Sequence, residues 1–500
     1  MIKRLPYFVI LVFALVYLLF SVQTSSVDAH GYANYIKSGE GLFSSHHLLY
    51  NLLGFVWVKL LNFFGANDVL AAMKALNAIL SGLSLALIYS IFSEQGFSRS
   101  KSLAWITFIG SSWGIMRFAT ENETYIVPIF LSLVGSLFLL RYNRGHRIKN
   151  LLLSGLFTAL ACLFHQIHFF WWLAFVVALF VKDGFKRAAI FVLPAFIVPL
   201  VYLLVIGLEN GGIPSLEDVF RFVFRDYMAG TASVGFGLMS IVMSGISLIR
   251  TFIQVHGYML MLVKANLWLL GFVALALLLG FQSIRHLRGT SIDFKILGSG
   301  FILAHLLALF FQLFFAFLSH GNSEFMVMLP ALFAIVLSGI SKNDTRLISY
   351  AALGMFVWNL SFGLMPLHLM PLDGSRIVVN QIVSNQSSFA WVFNKPHIEN
   401  QVEYVSNKKA NCIEGFVGVD KDHFYGKTDS LLSMGVSVYT DCYKRPKTLS
   451  RENIFFNANA ELFNNYCLVV VDSCSSLTGT YYLTRIIKKE NSLPQKTLYP

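Results

Sequence analysis

Apolar runs of about 17–25 residues, separated by short polar loops, dominate the first three quarters of the chain. A helix crosses a bilayer in ~20 residues. Only helices or closed barrels satisfy their backbone in lipid, and these runs lack the alternation of barrel strands. The pattern predicts about eleven membrane helices, at 5–21, 72–92, 102–118, 125–140, 151–165, 169–181, 188–208, 258–281, 296–318, 326–340 and 347–366. The expected fold is an all-α polytopic membrane domain over 1–375, with a first outward loop at 22–71. Residues 376–500 are polar, with strand-like runs at 412–419, 435–439 and 466–472 and a helix within 450–465. They predict a small C-terminal α/β domain.

Composition supports the membrane reading. The chain is 56% hydrophobic and only 13% charged, where a soluble domain carries roughly 25% charged residues. A net charge of +12 raises the question of nucleic acid. The basic residues sit in short loops between apolar runs, with no Lys/Arg tract interleaved with aromatics, so nucleic-acid binding is excluded.

One set of loops carries Lys3, Arg4, Arg99, Lys101, Arg141, Arg144, Arg147, Lys149, Lys182, Lys186, Arg187, Arg285, Arg288, Lys342 and Arg346. The other carries Asp28, Glu40, Asp68, Glu121, Glu123, Glu209, Glu217, Asp218, Asp226 and Glu324, with fewer bases. The positive-inside rule makes the first set cytoplasmic. The N-terminus is then cytoplasmic and the tail lies on the opposite side. A short basic start in a compact chain suggests a bacterial inner membrane, with the tail periplasmic. Residues 1–26 also resemble a signal peptide in outline, but the apolar run is long and the cleavage site poor, which favours an uncleaved helix.

Cys412, Cys442, Cys467 and Cys474 lie in the tail, and Cys162 in a membrane helix. Disulfides persist outside the cytoplasm, so two are expected in the tail, in one of three pairings.

Candidate chemistry gathers at the outward face. The first outward loop holds Asp28, Tyr32, Tyr35, His46, His47 and Tyr50; later loops hold Glu121 and Glu123, His165 and His168, Arg221 and Arg225, then His320 and Glu324. Ionisable groups at a membrane are costly and mark function. A carboxylate can take a proton from an incoming hydroxyl, arginines can grip a lipid phosphate, and histidine can donate hydrogen bonds or protons. No HExxH or fixed ligand spacing is present, so no metal is predicted, although a divalent ion is left open.

One membrane helix followed by a long outward loop that begins on an acidic residue resembles the GT-C membrane glycosyltransferases. In the branch with the protein O-mannosyltransferases and lipid A aminoarabinose transferases, the loop resembles Asp…Tyr…Gly and then His-Pro-Pro-Leu-Tyr. The equivalents here are Asp28, Tyr32 or Tyr35, Gly39 or Gly41, and His46-His47-Leu48-Leu49-Tyr50. The run at 60–65 and the acidic loop Glu121-Asn122-Glu123-Thr124-Tyr125 are also similar. Two features depart: His47-Leu48 replaces the Pro-Pro, and Asp28 stands in place of an acidic pair. The resemblance implies transfer, with inversion, of a sugar from a polyprenyl-phosphate-linked donor to a glycolipid, polysaccharide or protein acceptor at the outer face. Asp28 would be the general base, assisted by Glu121 or Glu123. By their chemistry and position, the tyrosines, histidines, arginines and Glu324 named above are expected to bind substrate, at a face shared with membrane lipid. Two alternatives are a transporter or flippase of lipid-linked glycans and an O-antigen polymerase or ligase. A transporter would place polar groups near the midplane within duplicated halves. Here they gather at one face.

Overall fold

The computed structural model describes residues 4–228, 235–255, 258–371, 373–385, 387–395, 397–415, 418–443, 459–476 and 479–489. The chain forms two compact units, one of Met1–Val22 with Tyr35–His368 and one of Gln23–Asn34 with Leu369–Pro500.

The first unit is helical. Among the described residues eight helices are long and apolar enough to cross a membrane, from Val69–Glu94 to Thr345–Leu369. Leu5–Leu19, Ile148–Phe164 and Leu238–Phe252 are shorter apolar helices. Every run read as a span in the sequence is mainly helical, with three breaks. The 102–118 run divides into Arg99–Ser111 and Trp113–Ala119, the 258–281 run divides at Asn266, and the 296–318 run divides at the extended Ser299. The apolar helix Leu238–Phe252 falls in the stretch 209–257 read as an outward loop. Its 15 residues are fewer than a full crossing needs.

The first break has a visible cause. Ser112 is extended (φ −67°, ψ 136°), which ends the ladder of helix hydrogen bonds there. Asn359, fully buried, donates to the carbonyls of Ser111 (2.7 Å) and Phe252 (2.7 Å) and accepts from Gln254 N–H (2.8 Å). One amide thus satisfies three helix-end groups that lipid leaves without partners. A π-turn at Leu360–Leu364 follows it. Close packing elsewhere depends on Gly155, where a Cβ would lie 2.1 Å from the Phe191 carbonyl oxygen. Small residues allow such backbone approach between membrane helices.

The second unit is an α/β sheet with five strands: β1 Ser388–Val392, β2 Ile413–Gly415, β3 Ser437–Thr440, β4 Tyr466–Ser476 and β5 Gly479–Lys488. Their order is β2-β1-β3-β5-β4. β1 runs parallel to β2 and β3, with Ala390 opposite Ile413 and Ser388 opposite Ser437. β5 runs antiparallel to β3 and β4. Every residue of β1 is buried, as expected of a parallel strand covered on both faces. One face packs on Ile377, Val378, Ile382, Ile398 and Val402, the other on Phe424, Leu462 and Phe463. Of the helix expected within 450–465, only a short turn at Ala460–Phe463 falls among the described residues; 450–458 lie outside them.

The disulfide expectation is not met. All five cysteines are free. Cys442 is enclosed in the apolar core, and Cys467 is exposed on β4. Cys474 lies seven residues further along the same strand, ~23 Å at 3.3 Å per residue, so these two cannot bridge each other.

Candidate active site

The acidic loop is an enclosed polar segment of the first unit. Thr120, Glu121 and Asn122 are fully buried and Glu123 nearly so. Arg117, one helical turn before Glu121, donates to its Oε2 at 3.1 Å. Lys74, from the helix Val69–Glu94, stands 3.8 Å from Oε1 and donates to the Val22 carbonyl at 2.6 Å. The Asn122 N–H also reaches Oε1, at 3.0 Å. Burial pushes the Glu121 carboxyl up, but Arg117 and then Lys74 outweigh it and hold it below the ordinary value. Asn77 clamps the loop backbone by donating to the carbonyls of Glu121 (2.7 Å) and Glu123 (2.9 Å). Tyr50 closes it with a 2.8 Å bond to Asn122 Oδ1. The His46–Tyr50 stretch and the acidic loop therefore meet.

The His46-His47 turn lies against two further loops. His46 Nε2 faces Asp226 Oδ2 at 2.5 Å, and Nδ1 faces Gln166 Oε1 at 3.1 Å. Gln166 donates to the Ser45 carbonyl (2.7 Å) and to the Tyr202 hydroxyl (2.9 Å). Burial, then His46, lowers His47 to about 4, so its imidazole is neutral at neutral pH. Its ring lies 6.1 Å from that of His165, which lies 5.1 Å from that of Tyr125. Tyr125 donates to Glu324 Oε2 at 2.9 Å. His46, His47, His165, Tyr125 and Glu324 form one continuous polar and aromatic band.

Asp28 belongs to the other unit. It stands in the first turn of the helix Val27–Ser38, whose residues up to Asn34 pack with the C-terminal unit. Burial raises its carboxyl above the ordinary value, opposed by His397. His30 lies against Tyr404, with ring centroids 5.8 Å apart, and Asn34 donates to the Asn400 carbonyl at 2.8 Å. Tyr32 is in this stretch too, whereas Tyr35 is exposed in the first unit.

No protein-family model matches the sequence, and no curated protein matches it. Solved structures match over nearly the whole chain. ArnT from Cupriavidus metallidurans bound to undecaprenyl phosphate aligns with a TM-score of 0.54 at 12% identity, covering 97% of both chains. The apo oligosaccharyltransferase of Archaeoglobus fulgidus aligns with a TM-score of 0.54 at 14% identity, covering 99% of this chain and 76% of its own. The chain has the GT-C fold.

On this GT-C frame the remaining sequence-derived candidates separate. Arg225 stands 3.7 Å from Asp226 and so joins the His46 network, while Arg221 pairs with Glu217 one turn back on an exposed helix. His168 turns into the helix packing, with Nδ1 2.8 Å from Ser132 Oγ and its ring stacked on Trp171. His320 takes a left-handed backbone conformation (φ 56°) with its ring against Gly235. Sequence reading did not single out Lys74, Asn77, Arg117 and Tyr202 as part of these networks, and it noted Gln166 and Asp226 only beside its candidates in the loops. The run Arg117-Phe-Ala-Thr-Glu121 places a base one turn before an acid and was a readable signal. Lys74 inside an apolar run was another. Among the described residues no three His, Cys, Asp or Glu side chains converge as a metal ion needs.

Proposed function

We propose that this protein is an integral-membrane glycosyltransferase that moves a sugar from a polyprenyl-phosphate-linked donor to a glycolipid, polysaccharide or protein acceptor on the non-cytoplasmic face. The observation that carries the reading is the GT-C fold, aligned end to end with an enzyme whose structure holds undecaprenyl phosphate. Asp28 is the general base of an inverting transfer. A carboxyl raised by burial holds a proton more readily, which suits a base that deprotonates a hydroxyl. Glu121, held ionised between Arg117 and Lys74, positions the acidic loop, and Glu123 is the second acidic group beside it. The His46, His47, Tyr50 and His165 band and Glu324 bind the donor's polar end. Arg221 and Arg225 supply charge for the lipid phosphate. Loop charges support a cytoplasmic N-terminus and a periplasmic tail in a bacterial inner membrane.

The test is mass spectrometry of glycolipids and glycoproteins from cells with and without the gene. The expected result is a glycan that disappears with the gene and returns with the wild type. Asp28→Asn should abolish product while expression and membrane insertion stay normal. Near wild-type product from that variant would sink the assignment of Asp28.

A further inference from the structure

The C-terminal unit contains a cavity of about 240 Å³ whose lining comes entirely from that unit. That is many times the ~10–15 Å³ that one enclosed water needs, and so ample room for a small polar ring. The cavity sits where the sheet topology favours a site. Asn394 and Lys395 follow the carboxyl end of β1, and Asp441 follows the carboxyl end of β3. From β1 the chain leads to β2 on one side, and β3 pairs with β5 on the other. Ligands of open α/β sheets bind in the crevice where strand order reverses in this way.

The lining carries both donors and acceptors. Lys395 Nζ donates to Asp373 Oδ2 at 2.8 Å and reaches Ser375 Oγ at 3.5 Å, two of the three bonds an ammonium makes. Asp441 accepts the backbone N–H groups of Phe393 (2.8 Å) and Asn394 (2.9 Å), which fix its carboxyl at the rim. Tyr481 packs tightly on Gly374, where a Cβ would lie 2.5 Å from the tyrosine Cβ. Tyr482 is braced by Tyr443, with ring centroids 4.7 Å apart. Asp373 and Asp441 repel an anion, and two carboxylates with a lysine beside them do not make a metal site. A neutral polyhydroxyl ring uses every part: its hydroxyls donate to the aspartates and accept from lysine and asparagine, and its C–H face lies on a tyrosine.

We propose that this cleft binds a single pyranose unit of a glycan, an assignment that rests on the transferase reading only for the choice of a sugar. Full-length protein in detergent is titrated with methyl α-D-mannopyranoside, methyl β-D-glucopyranoside, methyl β-D-galactopyranoside and N-acetylglucosamine, read by saturation-transfer NMR. Inorganic phosphate and sorbitol are run as controls. Saturable binding of at least one pyranoside, weakened tenfold or more by Asn394→Ala or Tyr482→Leu at unchanged unfolding temperature, supports the cleft. No saturable pyranoside binding by the wild type overturns it. So does binding that both variants retain, or binding of phosphate or sorbitol in place of the pyranosides. Binding is read without turnover, so a protein that binds a glycoside yet makes no glycan product fails the transferase reading and leaves the cleft standing. One that makes product and binds no pyranoside overturns the cleft alone.

Discussion

Arg117 and Lys74 keep Glu121 ionised where water does not reach it, and each of the three needs the others. Removing one partner of a buried ion pair leaves an uncompensated charge and costs about 3–5 kcal/mol. Arg117→Ala should therefore lower the unfolding temperature of the detergent-purified protein clearly, and an unchanged midpoint would refute the clamp. Asp441 makes the opposite kind of statement. Burial raises its carboxyl from 3.8 to about 6, so the folded state favours the protonated form. Its folded pKa lies above the unfolded value, so the C-terminal unit is most stable below about pH 4 with respect to this group and loses stability as pH rises toward about 6. Asp441→Asn should flatten that window in denaturation curves measured between pH 4 and pH 7. The base one turn before Glu121 could be read along the chain; the meeting of Lys74 with Glu121 and the burial of Asp441 could not. Lys74 is the one charged letter between Val69 and Phe92, and its partner lies 47 positions away. What was legible was chemistry per residue: an acidic loop, a histidine pair, a lone aspartate.

Among the elements, the membrane helices were the readable part, because each shows its own length and apolarity without reference to a neighbour. Breaks within them were not. The interruption at Ser112 depends on Asn359, 248 positions from the Ser111 carbonyl it satisfies. Asn359→Ala would orphan two carbonyls and one N–H, at about 1–3 kcal/mol for each buried group. The expected loss is at least about 3 kcal/mol, visible as a marked drop in unfolding temperature; a drop like that of an ordinary surface substitution would contradict it. β1 escaped detection for the reverse reason. It is buried on both faces, so its five residues show no alternation to mark them as a strand. β4 and β5 form a long hairpin, yet only the first part of β4 stood out as a strand.

At the scale of the molecule, a helical membrane part followed by a small α/β part was legible from the change in composition after Pro366. That residues 23–34 pack with the C-terminal unit was not, because a segment just behind the first helix gives no local sign of a partner more than 330 residues away. The cysteines carry the last prediction. Non-reduced and reduced protein should migrate alike on a gel, and a maleimide should modify Cys467 first, with Cys162 and Cys442 reacting only after unfolding. A mobility shift on reduction would restore a disulfide. The exposed thiol on β4 then becomes a reporter of sidedness that the chain already carries. A membrane-impermeant maleimide applied to intact spheroplasts marks Cys467 only if the sheet faces away from the cytoplasm, so the orientation inferred from loop charge can be read on the unmodified protein.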